Sequence, residues 1–207
     1  MRDHVEVSEA LGLRTWSARD AEAVLTAFAD PLMRGQASEP VVSRDAAERW
    51  LAERRERWEA GSSFAFAVVD ERDTALGNVA VGAVDRRHGV GWVSYWTTPA
   101  ARGGGVASRA LRALSRWAFD DAGLFRLELG HRVNNPASCG VARAAGFAVE
   151  GVERQRLEYD GVRFDVERHA RLATDEDPVR RDGRAGGSAA RPDRGVGGDH
   201  RDGRLAP

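Results

Sequence analysis

Three consecutive glycines, Gly103, Gly104 and Gly105, stand between Arg102 and an apolar-periodic stretch that begins at Val106. A glycine turn feeding a helix leaves the first helical amides bare. Those amides and the helix dipole form an anion site, which a phosphate can approach closely where no Cβ intervenes. A turn that merely needs positive φ is the plain alternative, but three glycines behind an arginine favour the phosphate. The run is not a dinucleotide fingerprint, because G-x-G-x-x-G requires glycine where Ser108 stands. A second group follows at Asn135-Pro136-Ala137-Ser138-Cys139. Taken alone, Asn135 before a proline reads as a helix cap, and Cys139 as a packed helix cysteine without an activating environment. His131, just ahead of this helix, is a titratable group beside a candidate site.

The elements that must position these residues alternate along the chain. Residues 11–16 read as a first strand, and Ser17-x-x-Asp20 as a capping box opening a helix through Phe28. Asp45-x-x-Glu48 opens a second helix with Ala47, Trp50, Leu51 and Trp58 on one face, closed by Gly61. Strands are expected at 64–69, 76–84 and 90–98, the last ended by Pro99. A long helix over 104–122 follows, then a strand at 126–131, a helix at 136–145 and a strand at 148–159. Asp160-Gly161 is a hairpin turn. In the last strand Val162, Phe164, Val166, Ala170 and Leu172 face one way, and Arg163, Asp165, Glu167, His169 and Arg171 the other. This order predicts an α+β fold: a mixed, mostly antiparallel sheet of six to seven strands, about four helices on its two faces, and one strand–helix–strand crossover.

Composition bounds the rest. A net charge of −1 argues against a dedicated nucleic-acid binder. Every basic residue is Arg, so no lysine can serve as Schiff base or phosphate anchor, which removes P-loop and aldolase-type chemistry. Cys139 stands alone, and His4, His88, His131, His169 and His200 lack metal-ligand spacing, so neither a disulfide framework nor a metal is expected. No apolar stretch is long enough to span a membrane or act as a signal core, and the reading is a soluble, cytoplasmic protein. From Thr174 onward seven Arg balance seven acidic residues around seven Gly, with no aromatic residue. Such a segment cannot offset its chain entropy by burial, so 8–173 is expected to form the domain and 174–207 a disordered tail.

Arg102-Gly103-Gly104-Gly105-Val106-Ala107 matches the R-x-x-G-x-A element of the GNAT superfamily of N-acetyltransferases. With Pro99, Asn135-x-x-Ser138, Gly146-Phe147, Glu150-Gly151, the Leu13-Arg14 strand and Asp20-Ala21, residues 11–172 resemble the branch containing the ribosomal-protein N-terminal alanine acetyltransferases. The resemblance implies acetyl-CoA as donor, its pyrophosphate on the amides from Gly103 through Gly104, Gly105 and Val106 to Ala107, with Arg102 beside them. It implies a pantetheine arm along Trp96, Thr97 and Thr98, splayed from the strand that ends at His131. Asn135 and Ser138 would then contact pantetheine and sulfur, Ser138 being the candidate proton donor. Many members carry a Tyr where Ala142 stands here and a Glu where Trp92 stands. The base is therefore assigned to His131, with Glu128 as runner-up. The expected reaction is direct attack of a primary amine on the thioester. An α-amine near 7.8 is neutral roughly one time in ten at pH 7, a lysine near 10.4 roughly once in a few thousand, so a weak base suits a peptide or protein N-terminus. A small-molecule amine (antibiotic or polyamine) and a non-catalytic acyl-CoA-binding protein stand as alternatives. The partner is an amine-bearing acceptor, with no nucleic acid or membrane; a homodimer is left open.

Overall fold

Apolar side chains large enough to fill a core are threaded through the strands in alternation with small ones, and this pairing decides the layers. The computed structural model describes residues 2–33, 37 and 39–178. Its strands are β1 (His4–Ser8), β2 (Leu11–Thr15), β3 (Phe64–Asp70), β4 (Ala75–Asp85), β5 (Val90–Thr97), β6 (Arg126–Arg132), β7 (Ala148–Tyr159) and β8 (Val162–Leu172). Its helices are α1 (Ala21–Phe28), α2 (Arg44–Glu59), α3 (Val106–Asp120) and α4 (Pro136–Ala144). The sheet order is β1-β2-β3-β4-β5-β6-β8-β7, antiparallel throughout except for the β5–β6 pair. The expected class holds, with eight strands among the described residues rather than six or seven. The additional one is β1, a mostly exposed edge strand whose polar, five-residue alternation carries little hydrophobic signal.

Phe64, Phe66 and Val68 of β3 face α3, where Trp117 sits against both phenyl rings at 5.1 and 4.9 Å. The alternate residues Ala65, Ala67 and Val69 face α1 and α2, whose Val24, Trp50 and Leu51 bury against them. Small residues on this second face let the helices lie close to the sheet. α2 begins two residues before its expected box: Ser43 is the cap, its hydroxyl accepting from Ala46 N at 3.2 Å, and Asp45 lies inside the first turn. The Ser17–Asp20 box is present, Asp20 also taking two hydrogen bonds from Arg14 at 2.8 and 2.9 Å. α3 spans 106–120 rather than 104–122, because Gly105 adopts φ +70° and caps it.

The polar face of β8 is not solvated as alternation suggests. His169 and Arg171 are buried, and Arg171 donates to Ala145 O, just past α4, at 3.0 Å. Past β8, Asp175 accepts from Leu172 N at 2.9 Å and Asp177 pairs with Arg116 at 2.7 Å. Residues 179–207, most of the segment expected to be a disordered tail, lie outside the described residues. No described helix is long and apolar enough to cross a membrane.

Candidate active site

β5 and β6 share only three rungs, Val90, Gly91 and Trp92 against Arg126, Leu127 and Glu128. Beyond them β4 holds β5 as far as Thr97 and β8 holds β6 as far as Arg132, while nothing pairs the two strands to each other. Being parallel, both open toward the same end of the sheet, and the helices that follow them, α3 and α4, start there. A wedge-shaped gap rimmed by two positive helix ends is the outcome, at the carboxyl ends of parallel strands.

At the α3 rim the glycine turn fits an anion. Gly103 and Gly105 take φ of +80° and +70°, and no side chain caps the first turn of α3. A Cβ added at Gly103 or Gly104 would meet no protein atom within 4 Å, and one at Gly105 only Ser108 Oγ at 3.8 Å. These glycines are not packing against the protein; they leave open space before the amides of Val106 and Ala107. Arg102 stands beside the turn, ion-paired with Asp30. Arg109 donates to Gly104 O at 3.3 Å and brings a second guanidinium that the sequence reading did not single out. The turn and its cations suit the diphosphate of a CoA thioester.

At the α4 rim Asn135 caps the helix, its Oδ1 accepting from Ser138 N at 3.2 Å. The Ser138 amide is thereby held in the first turn of α4, and its carbonyl accepts from the Tyr95 hydroxyl at 3.1 Å. That bond ties α4 to β5 where strand pairing has ended. Burial pushes the Tyr95 phenol above its ordinary value, so it stays protonated at neutral pH. Tyr95 was not anticipated, because nothing in the strand pattern tells which face meets α4. Of the three residues expected along the pantetheine arm, Trp96 turns its ring to the α1–α2 face, against Trp16 and Phe28 with centroids 6.0 Å away. Thr97 ends β5 opposite Gly77, and the Thr98 amide is already given to Leu76 O at 2.8 Å.

His131 is buried on the α4 side. Its Nδ1 faces Arg132 O at 3.0 Å, so Nδ1 carries the proton and Nε2 keeps its lone pair in the neutral ring. Nε2 meets His169 Nε2 at 3.0 Å, and His169 Nε2 meets Glu167 Oε1 at 2.9 Å. Cys139 donates its thiol to the same Glu167 oxygen at 3.3 Å. This shared hydrogen bond pushes the thiol up and the carboxyl down from their ordinary values. Glu128 lies on the other face of β6, held by Arg126 at 2.6 Å and Arg168 at 2.8 Å. Both of its oxygens are taken by guanidinium groups.

On the α2 face of the same strands lies a cavity of about 180 Å³. Trp50, Trp92 and Trp96 form its walls, with Asn78 and Ser94 on the sheet and Arg54 and Arg57 from α2. Arg168 stacks over Trp92 with its guanidinium carbon 4.5 Å from the ring. The gap thus has a side with an open glycine turn and an aromatic, arginine-bearing side, with β5 between them. Comparison with known families decides the class: residues 10–148 match the model of the acetyltransferase (GNAT) domain.

The chain belongs to the GNAT acetyltransferase family.

It is 29% identical over 129 residues to the probable N-acetyltransferase YjcK of Bacillus subtilis, covering 61% of this chain and 71% of that protein. It is 28% identical to the ribosomal-protein-serine acetyltransferase of Escherichia coli, over 51% of this chain and 59% of the other. Mycobacterium smegmatis RimJ, solved in complex with a CoA disulfide, superposes with a TM-score of 0.73 at 25% identity, over 85% of this chain and 89% of that one. The expected resemblance to the ribosomal-protein acetyltransferases is met, and the chain is an N-acetyltransferase of this family.

Proposed function

We propose that this GNAT enzyme transfers acetyl from acetyl-CoA to the α-amine of a peptide or protein N-terminus. The observation that carries the donor half is the glycine turn, whose open approach and uncapped first-turn amides fit the diphosphate. The charge of the opposite cavity favours this acceptor over a polyamine. Arg54 and Arg57 line it and share one carboxylate partner, Glu53, with no acidic group among the described lining residues; the one net positive charge left disfavours a polycation, whereas a peptide offers carbonyls and acidic side chains to the guanidinium groups.

In this reading acetyl-CoA supplies the activated carbonyl, held by Gly103, Gly104, Gly105, Val106 and Ala107, with Arg102 and Arg109 at the turn. The acceptor peptide lies in the tryptophan-walled cavity and reaches the gap across β5. His131 Nε2 receives the proton that the amine loses as the His169 Nε2–H bond goes to Glu167 Oε1 alone, and the Glu167 carboxylate, 3.5 Å from the His131 nitrogen, stabilises the imidazolium. Ser138 gives its hydroxyl proton to the departing sulfur and regains one from solvent, and Asn135 orients Ser138 by capping α4. Glu167 and His169 are positioning residues.

The test is acetyl-peptide formation, read by mass, against N-terminal peptides, lysine peptides, polyamines and aminoglycosides. Turnover highest with free α-amines followed by acidic residues is expected. Turnover confined to a small amine would replace the acceptor assignment, and saturable acetyl-CoA binding without turnover on any amine would favour a binding protein.

A further inference from the structure

β6, α4 and β8 converge on four donor atoms that the sequence keeps far apart: His131 Nε2, Cys139 Sγ, Glu167 Oε1 and His169 Nε2. All four residues offer ligand atoms within 4.8 Å of one another. Three of the atoms form a triangle with sides of 3.0, 2.9 and 3.5 Å, and the thiol lies 3.3 Å from the carboxylate corner. Ligand atoms around a tetrahedral metal at about 2.0–2.3 Å stand roughly 3.3–3.7 Å apart, so small shifts would admit an ion at the centre.

Two features go beyond proximity. His131 gives Nδ1–H to the Arg132 carbonyl, the outer-shell bond that orients a ligating imidazole and directs the Nε2 lone pair inward. The two imidazoles also present Nε2 to Nε2, a contact that neutral rings can hold only by assigning one proton between two nitrogens and a carboxylate. A cation resolves this competition, since both nitrogens and the carboxylate oxygen can then donate electron pairs to it. The rings are almost fully covered, with side-chain exposures of 6% and 0%, while Glu167 retains 21%, which leaves an entry path on that side.

We propose that this cluster binds one divalent cation of the zinc class. Two imidazoles, a thiolate and a carboxylate form a mixed N/S/O set suited to tetrahedral Zn²⁺. On binding, the Cys139 thiol releases its proton to solvent, and the His169 ring proton moves from Nε2 to Nδ1. Thiolate and carboxylate then cancel the charge of the ion, so the site is neutral where it is buried. Nδ1 of His169 has no partner before binding and none after, so that atom does not oppose the exchange. The ion takes the lone pair of His131 and therefore inhibits acetyl transfer, a consequence that rests on the proposed role of His131; the binding does not.

The experiment uses the full chain without an affinity tag, stripped with a chelator and titrated with Co²⁺ as spectroscopic probe. Expected are one equivalent bound, intense tetrahedral visible bands and a thiolate-to-cobalt charge-transfer band, all displaced by Zn²⁺. Cys139→Ser should abolish the charge-transfer band and weaken Zn²⁺ binding on the order of 100-fold or more. It should keep the metal-free turnover, because the thiol has no part in the reaction, and it should become resistant to Zn²⁺. Weak octahedral bands only, or a charge-transfer band that survives in Cys139→Ser, would overturn the site. A wild-type protein that gives the cobalt spectrum yet acetylates no amine refutes the acceptor reading alone.

Discussion

Gly105 and Gly123 sit at opposite ends of α3 and allow the glycine turn to be tested against its own strain. Their φ values are +70° and +66°. A Cβ on Gly123 would meet nothing within 4 Å, and one on Gly105 only a hydroxyl at 3.8 Å. Alanine at either position therefore costs only the left-handed backbone penalty, about 1–2 kcal/mol, which lowers Tm by roughly 2–8 °C in a chain of this size. At Gly105 the backbone relieves that strain by turning the amides of the first helical turn away from their common direction. Losing one charge-assisted N–H bond to a phosphate costs about 1.5–3 kcal/mol, or roughly 10- to 150-fold in acetyl-CoA affinity. Calorimetric titration with acetyl-CoA, beside thermal unfolding of both variants, separates the two effects. Equal stability loss with weakened binding in Gly105→Ala alone is expected. Unchanged affinity in a folded Gly105→Ala protein would reduce the glycines to a turn, and an equal loss in Gly123→Ala would trace the weakening to global destabilisation.

Ser138→Ala should lower kcat on the order of 10- to 100-fold while leaving acetyl-CoA affinity nearly unchanged; undiminished turnover in steady-state kinetics removes Ser138 from the proton-donor role. Asp20→Asn should cost about 2–3 kcal/mol in urea unfolding at pH 7, since Arg14 keeps its burial but loses the more buried of its two carboxylate partners, Asp20 and Asp73. Burial opposes ionisation of Asp20, yet hydrogen bonds from Arg14 and Ser17 prevail and hold its carboxyl below the ordinary value. Its stabilisation is hence fully present above the unfolded value, near 3.9, and disappears as pH falls through the lower folded value. Wild type and Asp20→Asn should accordingly converge in stability below that range, and parallel pH profiles would contradict the assignment. Truncation after Pro178 should leave Tm and acetyl-CoA affinity unchanged, whereas truncation after Thr174 also removes the Asp177 partner of Arg116 and the Asp175 acceptor of Leu172 N; a measurable loss of affinity in the longer form would show that residues 179–207 contribute.

Local rules carried most of the fold because they concern neighbours in sequence. The Ser17–Asp20 box, the Asp160-Gly161 hairpin and the glycine turn are each set by a few adjacent dihedrals and caps, so composition and spacing are enough to read them. Where two local solutions compete, sequence is less decisive: Asp45 and Ser43 can both cap α2, and Ser43 takes the Ala46 amide. β1 escaped because an exposed edge strand needs only backbone partners, which any polar residues supply.

Which face of an element another element covers is a different kind of fact. Alternation in β8 divides its side chains into two sets, but only tertiary packing turns His169 and Arg171 into buried groups. The same packing brings Cys139 and Glu167 to His131, and Tyr95 to the carbonyl of Ser138. The sequence by itself determined the glycine turn at the start of α3, the α+β order and the family resemblance, since these rest on contiguous residues. The tertiary structure alone decided the parting of β5 from β6 and the meeting of His131, Cys139, Glu167 and His169, because both arise from contacts between segments whose separation along the chain carries no record of their meeting.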